Sequence, residues 1–321
     1  MEEIVTGANA VKPPKKRKGV PITWSIIKQQ KQLIFMSVPL LAYIIVFAYA
    51  PIWGWTMAFQ DYRPARSFGE QTWVGLKHFQ FLFTDDNFIR VLRNTLGMSV
   101  INMVLGFTTA IALALLLNEI KNVLWKRTVQ TISYLPHFLS WIIVTGIVAT
   151  SLASDGIIND MLMKLNIIQE PILWLSEGKY FWGVVGASHV WKSVGWNTII
   201  YLAAMASIDP ALYEASDIDG ANRYQKMRHI TLPGIKATIV ILLIMSIGHI
   251  LEAGFEVQYL LGNGLIVDWS ETIDIFVLKY GIAQGNYSLA TAGGIFKTMV
   301  SITMLLFANW IAKRLGEERL L

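Results

Sequence analysis

The 321-residue chain contains no cysteine. That excludes disulfide staples, thiolate metal sites, cysteine nucleophiles and redox pairs. Charge is scarce as well: Asp, Glu, Lys and Arg make up 15% of the residues against 54% hydrophobic ones, and mean hydropathy is +0.47. A soluble domain usually carries about a quarter charged residues, so this chain has too few to cover a globular surface. It is also too apolar to be disordered throughout. No Gly-x-x-x-x-Gly-Lys-Ser/Thr phosphate loop occurs, so nothing here cradles nucleotide phosphates in that way. No pair of His with carboxylates has metal-ligand spacing, and no metal or cofactor is expected on this chain.

What the chain does have is long apolar runs, and a membrane crossing needs roughly 20 such residues. Six qualify: Leu33 to Phe59, Asn94 to Asn118, Thr128 to Ser154, Phe181 to Ile208, Ala237 to Gly262 and Gly293 to Ala312. The first is too long for a signal-peptide core and is expected to be retained. With the N-terminus inside, the cytoplasmic side holds 17 Lys and Arg residues and the outer side 7, so both termini are expected in the cytoplasm. The basic run Lys12 to Lys18 then reads as a topology signal rather than a nucleic-acid or headgroup site. The expected organisation is a basic tail over residues 1–32, an all-α six-span domain over 33–314, and a short tail over 315–321.

Two outer segments, Asp61 to Arg90 and Asp155 to Tyr180, are long, and Trp73 to Phe79 within the first reads as a short interfacial helix or turn. The inner loop 207–236, between the fourth and fifth spans, is the organised one. Asp209 suits an N-cap and Pro210 the first helical position. Ile208 and Tyr213 suit a staple across the cap, and Gly220 a left-handed end. A second helical stretch is expected over Asn222 to His229, with Pro233 opening the next span. A self-capped helix is more than a connection needs, so this one is a candidate docking element for a soluble partner.

Here the chain resembles the permease subunits of ATP-binding-cassette importers. Their hallmark is Glu-Ala-Ala, three residues, Gly, nine residues, Ile, one residue, Leu-Pro; Glu214-Ala215-Ser216, Gly220, Ile230 and Leu232-Pro233 keep that spacing, with Ser216 replacing the second Ala. Gln130 to Trp141, Gly195 to Ala204, Trp73 to Phe79 and Leu115 to Glu119 resemble the carbohydrate branch that handles larger oligosaccharides. The resemblance covers about Leu33 to Arg314. It implies a type I importer permease fold in a bacterial inner membrane, with the loop as a cytoplasmic coupling helix contacting an ATPase through Tyr213, Glu214, Ala215, Ser216, Asp219, Gly220, Ile230, Leu232 and Pro233. It also implies a heterodimer with a second related permease, two copies of a cytosolic ATPase that holds ATP and Mg, and an extracytoplasmic sugar-binding protein. The narrower expectation is fragments of acidic plant or algal polysaccharides, such as pectin or alginate.

Ionisable groups within spans are costly, at about 2.5–3.5 kcal/mol each at the bilayer centre on insertion scales, so they tend to face a cavity or partner. Lys192, Glu252 and Glu256 are candidates for the substrate route, and Trp191, Trp196 and Tyr201 for sugar stacking. Glu252 and Glu256 are four apart and are expected on one helix face. Lys192 and Lys297 could equally snorkel to an interface, and the other tryptophans suit interfacial belts. His137, after Pro136, reads as a hydrogen-bonding residue at a helix break. A secondary sugar transporter working without an ATPase is the alternative, and the inner-loop motif argues against it. The two carboxylates also raise glycoside cleavage, but no wider catalytic framework accompanies them, and a membrane-embedded glycosyltransferase would need a nucleotide-sugar or lipid-sugar site with acidic clusters on the cytoplasmic face; the chain is not expected to be an enzyme.

Overall fold

The computed structural model describes residues 28–314 and residue 316; the basic run Lys12 to Lys18 and the C-terminal Arg319 lie outside the described residues. The chain divides into two units, Met1–Gly54 and Trp55–Leu321, each described by itself. In the first, helix α1 (Lys31–Ile44) continues through a π turn over Ile45–Tyr49. None of its side chains is buried, and Phe35, Leu40 and Phe47 are well exposed. A surface that apolar is stable only against lipid or another apolar face.

The second unit begins with a feature hydropathy did not suggest. Strands β1 (Gln60–Asp61) and β2 (Thr72–Trp73) pair antiparallel, Gln60 opposite Trp73, and Gly75, at φ +61°, turns the chain into helix α2 (Lys77–Thr84). The expected interfacial piece Trp73 to Phe79 is thus a strand end, a turn and a helix start. Helix α3 (Asp86–Glu119) starts eight residues ahead of the apolar run, because Asp85 caps it by accepting from the Asn87 amide at 3.3 Å. Its 34 residues span about 51 Å, more than the hydrocarbon core.

The third expected span is not one helix. Helix α4 (Val123–Tyr134) tightens into a 3₁₀ turn over Leu135–Phe138, the chain extends at Leu139, and α5 (Trp141–Ser151) leaves at 105°. Pro136, unable to donate, favours the tight turn, and Ser140 then caps α5 through the Ile143 amide at 3.4 Å. Helix α6 (Ile157–Lys164) lies within the second long outer segment, and α7 (Gly178–Ala206) follows it. In the loop expected on the inner side come α8 (Pro210–Ile218) and α9 (Arg223–Gly234), the latter widened by a π turn over Met227–Thr231. Pro233 therefore does not open the fifth span: the helix runs to Gly234, bends by 57° at Ile235 and resumes as α10 (Lys236–Gly248).

The fifth span is shorter than its apolar run. It ends at Gly248, the chain leaves helical geometry through Gly254, and a separate helix, α11 (Glu256–Leu261), follows. Glu252 thus lies outside any helix and Glu256 opens the next one, so the two carboxylates do not share a helical face. Short helices α12 (Val267–Ser270) and α13 (Ile273–Leu278) lead to α14 (Tyr287–Arg314).

Among the described residues, Lys31–Phe59, Asp86–Glu119 and Tyr287–Arg314 are long and apolar enough to cross a membrane unbroken, and the two bent pairs bring the number to at most five. The fourth expected span, α7, has 29 residues but does not meet that hydropathy criterion. Its packing explains the difference. It lies along α3 and buries ten of its residues, among them Ser188, Lys192 and Thr198, so the protein rather than lipid meets its polar groups. Against α4 it comes as close as backbone allows: a Cβ on Gly195 would stand 2.1 Å from the Ser133 carbonyl oxygen. Gly195→Ala is expected to force the helices apart at a cost of about 1–3 kcal/mol, read as a lowered melting temperature in detergent. Gly183→Ala in the same helix, where a Cβ meets nothing within 4 Å, is expected to be neutral or stabilising by up to about 1 kcal/mol.

Candidate functional site

The inner loop closes on itself through short-range bonds. Asp209 accepts from the Ala211 amide at 2.9 Å, and Pro210 takes the first helical position, where no donor is needed. At the other end the Ala221 amide donates to the Ser216 carbonyl at 2.9 Å and the Gly220 amide to that of Asp217 at 3.2 Å. With Gly220 at φ +73° this is a Schellman cap. Nothing lies within 4 Å of a Cβ on Gly220, so only backbone conformation requires glycine there. Asn222 and Gln225 then form a reciprocal capping box at 2.8 and 2.9 Å, which starts α9.

This fixed local geometry leaves α8 with no buried side chain. Only Tyr213 and Ser216 are partly covered; Glu214, Ala215 and Asp219 are exposed, as are the apolar Leu212 and Ile218, the latter at 89%. The Ser216 hydroxyl donates to its own helix at the Tyr213 carbonyl, 2.7 Å, so the departure from the second Ala is absorbed locally. Ile208 packs against Gly234, and the Tyr213 hydroxyl bonds that of Thr231 at 2.9 Å. In α9, Ile230 and Leu232 are partly buried and Pro233 is exposed. Spacing had not singled out Thr231 or Ile235, both of which are essentially buried. Ile235 packs with Ala110 and Ala114 of α3 and with Tyr201 and Met205 of α7.

The substrate-route candidates do not converge on one place. Lys192 is only 8% exposed, so it does not snorkel; its Nζ donates to the carbonyls of His137 and Leu139, each at 2.6 Å, and sits 5.3 Å above the Trp141 ring. Trp196 stacks face to face on His137 at 4.4 Å. Trp191, 40% exposed, lines a cavity of about 640 Å³ with Trp174, Lys179 and Tyr180. Tyr201 is buried near the C-terminal end of α7, beside a cavity of about 180 Å³ that Asn102, Asn197 and Ser246 also line. Glu252 bonds His249 at 3.1 Å, and both line a cavity of about 300 Å³ with Lys297, whose Nζ is paired to Asp274 at 2.6 Å. Glu256 is exposed at the start of α11.

The class of protein to which this apolar helical core and self-capped loop belong is identified by sequence comparison. Residues 90–317 match the model of the family described as binding-protein-dependent transport system inner membrane component, and the chain belongs to that family. It is 41% identical over 315 residues to Protein LplB of Bacillus subtilis (strain 168), covering 96% of this chain and 98% of that one. It is 44% identical over 291 residues to the polygalacturonan/rhamnogalacturonan transport system permease protein YteP of the same organism, covering 90% of each. A chain in the crystal structure of a bacterial alginate ABC transporter, in complex with an alginate pentasaccharide-bound periplasmic protein, superposes with a TM-score of 0.85 at 37% identity, covering 92% of this chain and 99% of that one.

Lys192→Met should leave the two carbonyls at the α4–α5 break without their donor. We expect a loss of about 2 kcal/mol, the cost of unsatisfied buried acceptors, read as a lower melting temperature in detergent. Unchanged melting of the variant would show that these bonds do not hold the bend.

Proposed function

We propose that this chain is the membrane-spanning subunit of an ATP-binding-cassette importer that carries oligosaccharides of acidic polysaccharides into the cytoplasm. The observation that carries this reading is α8: a helix capped at both ends by its own loop, with no buried side chain and with Leu212 and Ile218 turned outward, in a chain of this family. Such a helix is built to be covered by a partner. The substrate class is supported by the relatives, one a polygalacturonan/rhamnogalacturonan permease and another from an alginate importer.

In this reading a second related permease completes the translocation route. Two copies of a cytosolic ATPase bind ATP and Mg²⁺, and an extracytoplasmic binding protein delivers the sugar. The Lys and Arg distribution supports an orientation with both termini and the inner loop in the cytoplasm of a bacterial inner membrane. Nucleotide-driven closure of the ATPases moves α8, with Glu214 anchoring the docked face and Gly220 holding the turn into α9. The motion reaches α10 across the Ile235 bend, and alternating access follows from rearrangement of the packed helices. On this chain the cavity with Glu252 and Lys297 and the exposed faces of Trp191 and Trp196 are the places for sugar contact. Lys192 and Tyr201 act from within the packing.

The test is purification of the chain with its partners and reconstitution in liposomes. An ATPase should co-purify, and its hydrolysis should rise when binding protein loaded with oligogalacturonate or alginate oligosaccharide is added. Uptake of sugar by this chain alone, without an ATPase, would overturn the assignment. A second expectation concerns Gly220. Gly220→Val places a β-branched residue at positive φ, at about 1–2 kcal/mol, and should abolish uptake while the chain still inserts. Gly220→Asn, which tolerates that conformation, should retain most of it. Normal uptake by the Val variant would rule out coupling through this turn.

A further inference from the structure

We infer that α8 and α9 form a single lever held by a half-buried hydroxyl pair, and that Thr231 is its positioning residue. This rests on the reading of the loop as the ATPase-coupling element. Three contacts join α8 and the residue leading into it to α9 in antiparallel register. At the end nearest the bend Ile208, just ahead of the α8 cap, abuts Gly234, where an added Cβ would meet Ile208 Cδ1 at 2.6 Å. In the middle the Tyr213 hydroxyl meets the Thr231 hydroxyl at 2.9 Å. At the outer end the Asp217 carboxylate pairs with the Lys226 ammonium. As the chain advances along α8 its partner retreats along α9, as in two antiparallel rods joined by rungs.

The rungs are not equivalent. The Asp217 side chain is 70% exposed, and a pair in water contributes little. The Ile208 contact resists compression but not separation. The hydroxyl bridge is the directional one, and Thr231 is only 1% exposed. Its other oxygen contact, the Lys226 carbonyl, is long at 3.5 Å. Thr231 closes the π turn Met227–Thr231, four residues ahead of the bend at Ile235. A pull on α8 is therefore delivered through Tyr213 to the part of α9 nearest the bend. Ile235, packed between α3 and α7, is then the fulcrum, and α10 is the driven arm.

The experiment uses the assembled complex in proteoliposomes, with both permeases, the ATPases and binding protein loaded with oligogalacturonate, and reads sugar taken up per ATP hydrolysed. Thr231→Val keeps the shape and removes the hydroxyl, and should lower that ratio about tenfold, the scale of losing one partly buried hydrogen bond. Tyr213→Phe should do the same, and the double variant should be no worse than either single one. Thr231→Ser, which restores the hydroxyl, should recover the ratio. A normal ratio in Thr231→Val, multiplying effects in the double variant, or failure of Thr231→Ser to rescue would each overturn the lever. Should the Val variant not assemble, Tyr213→Phe and Thr231→Ser decide by the same readout. Uptake by the unmodified complex without ATP would instead sink the proposed function, so the two failures are distinguishable.

Discussion

A helix that breaks inside a membrane releases backbone carbonyls, and hydrocarbon offers them no donor, so the protein must supply one. In this chain the buried ammonium of Lys192 does so at the α4–α5 break, donating to His137 and Leu139 from the middle of α7. The bend of 105°, the stacking of Trp196 on His137 and the backbone approach at Gly195 all lie around that contact. A second break, after Gly248, is treated the same way. There the Ala253 carbonyl accepts from Gln258 Nε2 at 2.6 Å and from Asn102 Nδ2 at 3.3 Å. Side chains of α3, α7 and α11 thus replace the helical hydrogen bonds that the breaks remove.

This allows bent elements to be rigid. The outer loops are fastened similarly: Asn94 of α3 donates to the carbonyls of Asp268 and Glu271, each at 3.1 Å, and the Thr95 hydroxyl accepts from the Ile273 amide at 3.0 Å. Toward the C-terminal end of α3 the small residues Ala110 and Ala114 leave room for Ile235, Tyr201 and Met205 to pack. The loop of α8 and α9 therefore rests on a packed surface at Ile235, while α8 itself keeps no side chain buried.

Much of this was legible beforehand because it is local. Apolar runs longer than a bilayer is thick mark α1, α3 and α14, and the cap residues Asp209, Pro210 and Gly220 mark α8, since each acts within a few residues of itself. The same apolar runs hid the breaks. Thr128 to Ser154 and Ala237 to Gly262 read as single spans because hydropathy counts apolar side chains and is blind to where backbone bonds are lost. The β1–β2 pair escaped because two-residue strands leave no pattern.

The candidate site divides along the same line. Spacing could single out the inner-loop residues but not Thr231 or Ile235, since their contacts are with Tyr213 and with the α3 and α7 surfaces, which are distant in the chain. Lys192 could be recognised as costly in a span but not as the donor at a break more than fifty residues away. Glu252 and Glu256 seemed to share a face only on the assumption of a continuous helix. The sequence alone determined a membrane protein with a self-capped inner helix, because hydrophobicity and capping are properties of neighbouring residues. Only the tertiary structure decided which polar groups meet the backbone at the bends and which join α8 to α9, because a hydrogen bond depends on distance in space.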